Sequence, residues 1–255
     1  MPADRSGALR VLWTRPAGRG ARSLDRLREA GFDVDHRPTI AFEPPADPRP
    51  AARAAERAAD YDWVVFTSPT GVEFFDRAGG GGLRPAPRRA AVVGQATRRA
   101  VEGLGVAAEV VADPPRADGL AAALRPRVRP GDRVLVVRPE SAPNTLSSAL
   151  EDAGAIVEAV AFYRTVAAPG VSEIAADLRD GRYDAVVFSS PSTFQSVLDA
   201  ATGGLALVSA LRTVAVVAIG GVTAHALGRA GLEPSAVASD PSDEALVVAV
   251  RSCFR

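Results

Sequence analysis

Ala155 to Val166 reads AIVEAVAFYRTV, an extended apolar run with one phenol, Tyr163, near its end. It follows a stretch patterned as a helix, is longer than an internal strand needs to be, and runs straight into the turn composition Ala167-Ala168-Pro169-Gly170. Such a segment fits a crossing from one lobe of the chain to another, with Tyr163 at the mouth between them. Whether it is that, or an over-long core strand, depends on what surrounds it.

Apolar strands alternate with helical patterns along the whole chain. Arg10 to Thr14 (RVLWT) reads as a short buried strand, and Arg15-Pro16-Ala17-Gly18 turns it into a helix over about Gly20 to Ala30 that stops at Gly31. Phe32 to Phe42 reads as one extended segment, followed by the proline-rich Glu43 to Pro48 and an alanine-rich helix to about Ala59. Trp63 to Thr67 (WVVFT) is a continuous apolar strand that breaks at Ser68-Pro69-Thr70-Gly71 into a helix. Further strands are expected at Ala90 to Val93, Ala107 to Val111, Arg133 to Val137, Ala185 to Phe188, Val214 to Ile219 and Ser235 to Ala238, each followed by one helix, the last from Asp243. The run Gly79 to Gly82 follows a helix, not a strand, and reads as a surface loop rather than a phosphate fingerprint. The strands lack period-two alternation, the pattern of parallel sheets covered on both faces, so the fold class is α/β.

The chain also repeats itself. RVLWTRP pairs with RVLVVRP, LREAGFDV with LEDAGAIV, YDWVVFTSP with YDAVVFSSP, VVGQAT with AIGGVT, EGLGV with GRAGL, and DPPRADGLAAAL with DPSDEALVVAV, all roughly 120 to 127 residues apart and in the same order. Linker-like composition follows the second strand of each half, at Pro44 to Pro50 and Ala167 to Gly170, and not only the junction near Arg125 to Gly131. That favours an exchanged arrangement over tandem domains: residues 9–42 plus 168–255 in one domain, 46–160 in the other, with linkers near 37–46 and 160–168. Two extended links of this kind form a natural hinge.

Bulk properties narrow the function classes. No stretch approaches the ~18 consecutive apolar residues needed to span a bilayer, and MPADRSGALR lacks the apolar core of a signal peptide, so a soluble cytoplasmic protein without membrane attachment is expected. Cys253, the single cysteine, has no partner for a disulfide or metal site and fits a reducing compartment. Formal net charge is zero, which argues against a broad basic surface for nucleic acid. All 30 basic side chains are arginine; an arginine- and alanine-rich coding bias explains that more simply than anion recognition does. His36 and His225 lie far apart without acidic or cysteine clustering, so no metal site is expected.

Ligands of parallel α/β sheets bind beyond the carboxyl ends of the strands. Those ends carry the duplicated motifs: Arg15-Pro16, Thr67-Ser68-Pro69, Gly94 with Thr97, Arg138-Pro139, Ser189-Ser190-Pro191, and Gly220 with Thr223. Each precedes or opens a helix whose first N–H groups lack internal partners and can hold a carboxylate or phosphate. Two facing domains would offer about six such places to one ligand, which suggests a large polyanion. Each motif equally fits an ordinary cap with proline in the first turn, and Thr97 and Thr223 fit plain helix surface. Tyr163 taken alone reads as an ordinary strand aromatic. Thr67 to Gly71 has something of a flavodoxin phosphate loop, but Pro69 removes a backbone donor and no second flavin signature accompanies it. The residues by themselves lead to a cofactor-free two-domain protein with an anion-lined cleft; a hinge-closing binding or sensor protein without catalysis fits that description, though no partner-facing signalling surface or export signal is evident.

Over nearly its whole length the sequence resembles the uroporphyrinogen-III synthase family, in YDWVVFTSPTGVEFF, AVVGQAT, AFYRT, YDAVVFSSPS and AIGGVTAHAL, whose order and spacing together are specific. The resemblance implies two similar parallel-sheet, flavodoxin-like domains joined by a two-stranded linker with exchanged chain path. It implies a cyclising hydro-lyase of tetrapyrrole and heme biosynthesis, acting as a monomer and without cofactor on hydroxymethylbilane. In the accepted scheme the terminal hydroxyl leaves to give an azafulvenium, the substituted carbon of ring D attacks to form a spiro-pyrrolenine, and fragmentation and reclosure give uroporphyrinogen III. Uncatalysed closure gives the uninverted isomer, so the enzyme's work is largely to grip acetate and propionate groups in the geometry for attack by the hindered carbon. The family tyrosine that helps the hydroxyl leave matches Tyr163. The Thr positions of its two Gly-x-x-Thr turns match Thr97 and Thr223, for which binding is expected rather than chemistry. Arg15 and Arg138 are expected either to pair with substrate carboxylates or to serve as surface caps.

Overall fold

The computed structural model describes residues 7–81, 86–240 and 242–254. Gly82 of the glycine run, Pro241 of the last repeated turn and residues 1–6 of the leader reading lie outside them.

Eleven strands are formed by the described residues: β1 (Arg10–Trp13), β2 (Asp33–His36), β3 (Ile40–Glu43), β4 (Trp63–Phe66), β5 (Ala90–Val92), β6 (Ala108–Val111), β7 (Arg133–Pro139), β8 (Ile156–Ala167), β9 (Ala185–Phe188), β10 (Ala215–Ala218) and β11 (Ala236–Val237). The α-helices are α1 (Ala21–Glu29), α2 (Arg49–Glu56), α3 (Pro69–Ala78), α4 (Gly94–Glu102), α5 (Ala117–Leu124), α6 (Thr145–Glu151), α7 (Val171–Arg179), α8 (Pro191–Ala200), α9 (Gly204–Leu211), α10 (Gly221–Arg229) and α11 (Asp243–Ser252). Two differences from the expected elements stand out. The segment Phe32 to Phe42 is not one strand: β2 stops at His36 and β3 begins at Ile40, because Pro38 brings no N–H to a ladder. The single helix expected between Phe188 and Val214 is two, broken where Gly203 adopts a left-handed conformation (φ 87°) ahead of α9.

The strands form two sheets, one ordered β11-β10-β9-β1-β2, the other β3-β8-β7-β4-β5-β6. Pairings β1 with β2 and β9, and β9 with β10, are parallel, as are β4 with β5 and β7, and β7 with β8. Taken by repeat, β1 and β2 correspond to β7 and β8, and β4, β5, β6 to β9, β10, β11. The edge strand β3 apart, each sheet therefore takes two strands from one half and three from the other, in the doubly wound order 2-1-3-4-5. The chain divides into two compact units, residues 1–41 with 166–255, and residues 42–165, and passes between them inside β3 and inside β8.

Within each unit the sheet is buried on both faces, as apolar runs without alternation require. In the unit of residues 42–165, Val64 and Phe66 of β4 face a cluster filled by Ala51, Ala54 and Ala55 of α2 and Val72, Phe74 and Phe75 of α3. Trp63 and Val65 face the opposite cluster, with Leu120 and Leu124 of α5 and Leu146 and Leu150 of α6. In the other unit Leu12 faces α7, α8, α9 and α10, while Val11 and Trp13 face α1 and α11. Each fully buried Leu or Phe contributes about 1.5–3 kcal/mol of transfer free energy, so these layers carry the stability. Among the described residues no helix is long and apolar enough to cross a membrane.

Two of the three tyrosines belong to this framework. Tyr61 donates to Glu158 Oε2 at 2.5 Å, and Tyr183 donates to Asp35 Oδ2 at 2.7 Å. Burial first, and the facing carboxylate second, push both phenols above their ordinary range. Because the folded state holds these protons longer than the unfolded chain, their contribution is whole below about pH 10 and is lost as pH rises through the folded values. Unfolding free energy from urea titrations is expected to fall above about pH 10, and Tyr61→Phe with Tyr183→Phe should flatten that fall.

Candidate active site

The topological switch point of the unit formed by residues 42–165 lies between β4 and β7, and four expected residues gather at or near it. Thr67, just beyond β4, donates its hydroxyl to the Val137 carbonyl at 3.3 Å and ties the two strand ends together. Ser68 begins α3 in extended backbone (φ −161°, ψ 156°), and its Oγ accepts the Gly71 N–H at 2.9 Å, an N-cap with Pro69 in the first turn. The same Oγ lies 2.9 Å from the Tyr163 hydroxyl.

Tyr163 reaches that point because β8 is irregular. Arg138 pairs with Ala161 but Pro139 pairs with Tyr163, so β8 carries one extra residue, Phe162. Neighbouring side chains of a regular strand point to opposite faces; at this irregularity Phe162 and Tyr163 both join the cluster under α3. Phe162 packs on Phe75 (centroids 5.2 Å apart). Tyr163 stacks on Phe74 at 5.6 Å and 25° and meets Phe42 edge-on at 5.6 Å and 88°. Gly71 completes the enclosure: a Cβ there would stand 3.3 Å from Val137 Cγ1, 3.4 Å from Ser68 Oγ and 3.9 Å from Tyr163 Cε1. The phenol is 6% exposed, with its oxygen at the start of a helix.

Arg138 is close in sequence but turned to another task. Its guanidinium donates to Asn144 Oδ1, to the carbonyls of Ala142 and Glu140, and through Nε to the Pro139 carbonyl. These bonds brace its own loop, which is the surface-cap alternative. Gly94 opens α4 with φ +75° and no side-chain cap, and Thr97 on the same helix is 1% exposed.

The other unit carries the copies, with different wiring. Ser190 caps α8 in a capping box with Thr193, and its Oγ lies 2.9 Å from Ser192 Oγ rather than near a phenol. Ser189 is half-buried beside it. Arg15, beyond β1, donates from Nη1 to Asp243 Oδ1 at 2.6 Å, so its guanidinium already faces a carboxylate of the chain. His36 Nε2 lies 2.9 Å from the Arg15 carbonyl, and a Cβ on Gly20 would meet Arg15 Cδ at 3.0 Å. Gly220 precedes α10 in extended backbone (φ 172°), and Thr223 is 2% exposed. The helix-surface reading of Thr97 and Thr223 is thus overturned: both hydroxyls are enclosed by the fold.

Four contributors escaped the sequence reading. Phe74 follows Ser68 by six residues and belongs to the VEFF pair of α3, so helical spacing could have signalled it. Phe42 and Gly71 are adjacent to Tyr163 only through tertiary structure, and Asp243 pairs with Arg15 across 228 residues of sequence.

Residues 22–248 match the family model described as Uroporphyrinogen-III synthase HemD. The chain belongs to the uroporphyrinogen-III synthase family. The uroporphyrinogen-III synthase of Synechococcus elongatus is 29% identical over 234 residues, covering 88% of each chain. A Methanothermobacter thermautotrophicus protein provisionally given the same name is 31% identical over 226 residues, 86% of this chain and 88% of that one. Among solved structures, a mutant uroporphyrinogen III synthase from Thermus thermophilus aligns with a TM-score of 0.69 at 25% identity, covering 97% of this chain and 99% of that one. The Helicobacter pylori enzyme shares the fold, with a TM-score of 0.59 at 15% identity over 97% of this chain and all of that one.

The paired glycines of the two family turns give a direct test of the geometry. At Gly94 a side chain meets left-handed backbone and Pro115 Cβ at 3.0 Å, whereas at Gly220 it meets extended backbone and open space. Gly94→Ala is expected to cost on the order of 1–2 kcal/mol or more, and Gly220→Ala within about 0.5 kcal/mol, by urea unfolding.

Proposed function

We propose that this member of the uroporphyrinogen-III synthase family cyclises hydroxymethylbilane with loss of water and inversion of ring D, and that Tyr163 supplies the proton to the departing hydroxyl. The observation that carries the assignment is the Tyr163 phenol, set in an aromatic enclosure with its oxygen 2.9 Å from Ser68 Oγ at the start of α3. A phenol is neutral at physiological pH and can donate a proton. In a site that excludes water such a donor acts at full strength on the leaving group.

The strand ends supply the grip. The uncapped start of α4 at Gly94 presents backbone N–H groups to an anion, and Thr97 is buried on the same helix. Gly220, before the uncapped start of α10, and Thr223 within that helix offer a second such start, with Ser189 and Ser190 before α8. Neutral donors suit a substrate bearing acetate and propionate groups, because they orient carboxylates without adding a counter-charge that must be desolvated. Thr67 serves mainly as a strand tie, and Arg15 takes a substrate carboxylate only by exchanging Asp243 for it. Within this reading residues 9–42 with 168–255 and residues 46–160 act as the two domains, and the chain works as a cytoplasmic monomer without a cofactor. Family membership leaves a non-catalytic sensor unfavoured.

Incubation with hydroxymethylbilane, oxidation and separation of the porphyrin isomers tests the assignment: type III porphyrin is expected, and type I alone would reject it. Tyr163→Phe should lower turnover by ~10² to 10³; near-wild-type turnover would remove the tyrosine from the chemistry.

A further inference from the structure

The half-buried serine beside the phenol has one proton and two lone pairs to distribute. One lone pair takes the Gly71 N–H at 2.9 Å, and the remaining close contact is the Tyr163 oxygen at 2.9 Å. If Tyr163 gives its only proton to the leaving hydroxyl, the contact between the two side chains must run from Ser68 to Tyr163.

We propose that Ser68 is a positioning residue that donates its hydroxyl hydrogen to the Tyr163 oxygen and holds the phenolate formed when the substrate hydroxyl leaves. The inference rests on the reading of Tyr163 as the proton donor. In the step itself the phenol O–H breaks, the proton joins the departing hydroxyl to make water, and the carbon–oxygen bonding pair leaves with that water. The pyrrole nitrogen pair then completes the azafulvenium cation, and the negative charge stays on the Tyr163 oxygen. The proton lost when the ring closes restores the phenol, so the cycle needs no other acid or base. A hydrogen bond to an ionised oxygen is roughly twice as strong as one to a neutral partner, so Ser68 favours the charged state over the resting one. The N–H of Gly71 fixes the serine oxygen, and the N-terminal end of α3 favours negative charge nearby.

The duplicated copy shows that capping alone does not demand this arrangement. Ser190 caps α8 just as Ser68 caps α3, yet it shares its hydroxyl with Ser192 and Thr193. Thr193 occupies the position of Gly71, and β2, which ends at His36, brings no tyrosine to the level that Tyr163 takes beside Pro139. The cap is common to both copies, while the small residue at position 71 and the phenol at 163 occur together in one.

The test uses the full chain with hydroxymethylbilane and the variants Ser68→Ala, Ser68→Thr and Ser68→Gly, each alone and with Tyr163→Phe. Ser68→Gly is included because glycine is a tolerated N-cap, which keeps the helix start if alanine impairs folding. Expected for Ser68→Ala and Ser68→Gly is a loss of about 10- to 100-fold in kcat with little change in KM, recovery in Ser68→Thr, and no further loss in the Tyr163→Phe background. Tyrosinate absorbance gives a reading independent of turnover: Tyr61 and Tyr183 are pushed to higher pH, so the difference between the native chain and Tyr163→Phe isolates Tyr163. Its ionisation should move up by about one pH unit on removal of the Ser68 hydroxyl. An unmoved ionisation, equal losses in both backgrounds, or an effect confined to KM would overturn the role of Ser68. Full turnover by Tyr163→Phe would instead overturn the reading of the tyrosine, and with it the phenolate, whatever the titration shows.

Discussion

A strand gives alternate side chains to alternate faces, and β8 breaks that rule once. The register shift opposite Arg138 and Pro139 inserts Phe162, so that Phe162 and Tyr163 both turn toward α3. The helix answers with its own adjacent aromatics, Phe75 against Phe162 and Phe74 against Tyr163. Without the extra residue, the phenol and Ser68 could not both serve the same strand end. The polar contact proposed to serve the chemistry is thus set by aromatic packing worth far more than one hydrogen bond, and the hydroxyl pair is placed by apolar neighbours.

The two copies of the motif separate the common framework from what differs between them. Strand order, double-sided burial and serine caps recur in both units. Divergence concentrates at the strand ends: Gly94 in left-handed backbone against Gly220 in extended backbone, Gly71 against Thr193, and a β8 that runs on to Tyr163 against a β2 that ends at His36. Arg37, just beyond β2, donates to Asp177 at 2.5 Å, with Tyr183 nearby at 3.4 Å. Gene doubling supplies two frameworks, and only one strand end was refitted with a phenol.

Much of this was legible in the sequence. Apolar runs without alternation specify parallel strands buried on both sides, and the repeated motifs mark the strand ends where helices begin. What composition could not reveal depends on a single inserted residue or on distant pairing. The irregularity at Phe162 leaves no compositional trace, and the salt bridge of Arg15 with Asp243 joins residues at opposite ends of the chain. Burial of Thr97 and Thr223 likewise follows from what covers their helices, which a lone threonine near a glycine does not disclose. The break at Pro38 was visible as a proline, yet extended composition on both sides of it concealed the change of sheet.

The exchange of strands between the two halves also bears on the order in which a growing chain can fold. Residues 42–165 are continuous, so every strand between β4 and β8 exists as soon as β8 is made. β1, by contrast, sits between β2 and β9, and Arg10 receives its partner Asp184 only after 174 further residues. The inner unit is therefore a closed insert, synthesised and able to pack while the first two strands of the outer one still wait. Long-range closure of that kind carries the entropic cost of the whole intervening loop; a compact insert shortens the effective loop, so early packing of the inner unit brings the outer strands within reach of each other.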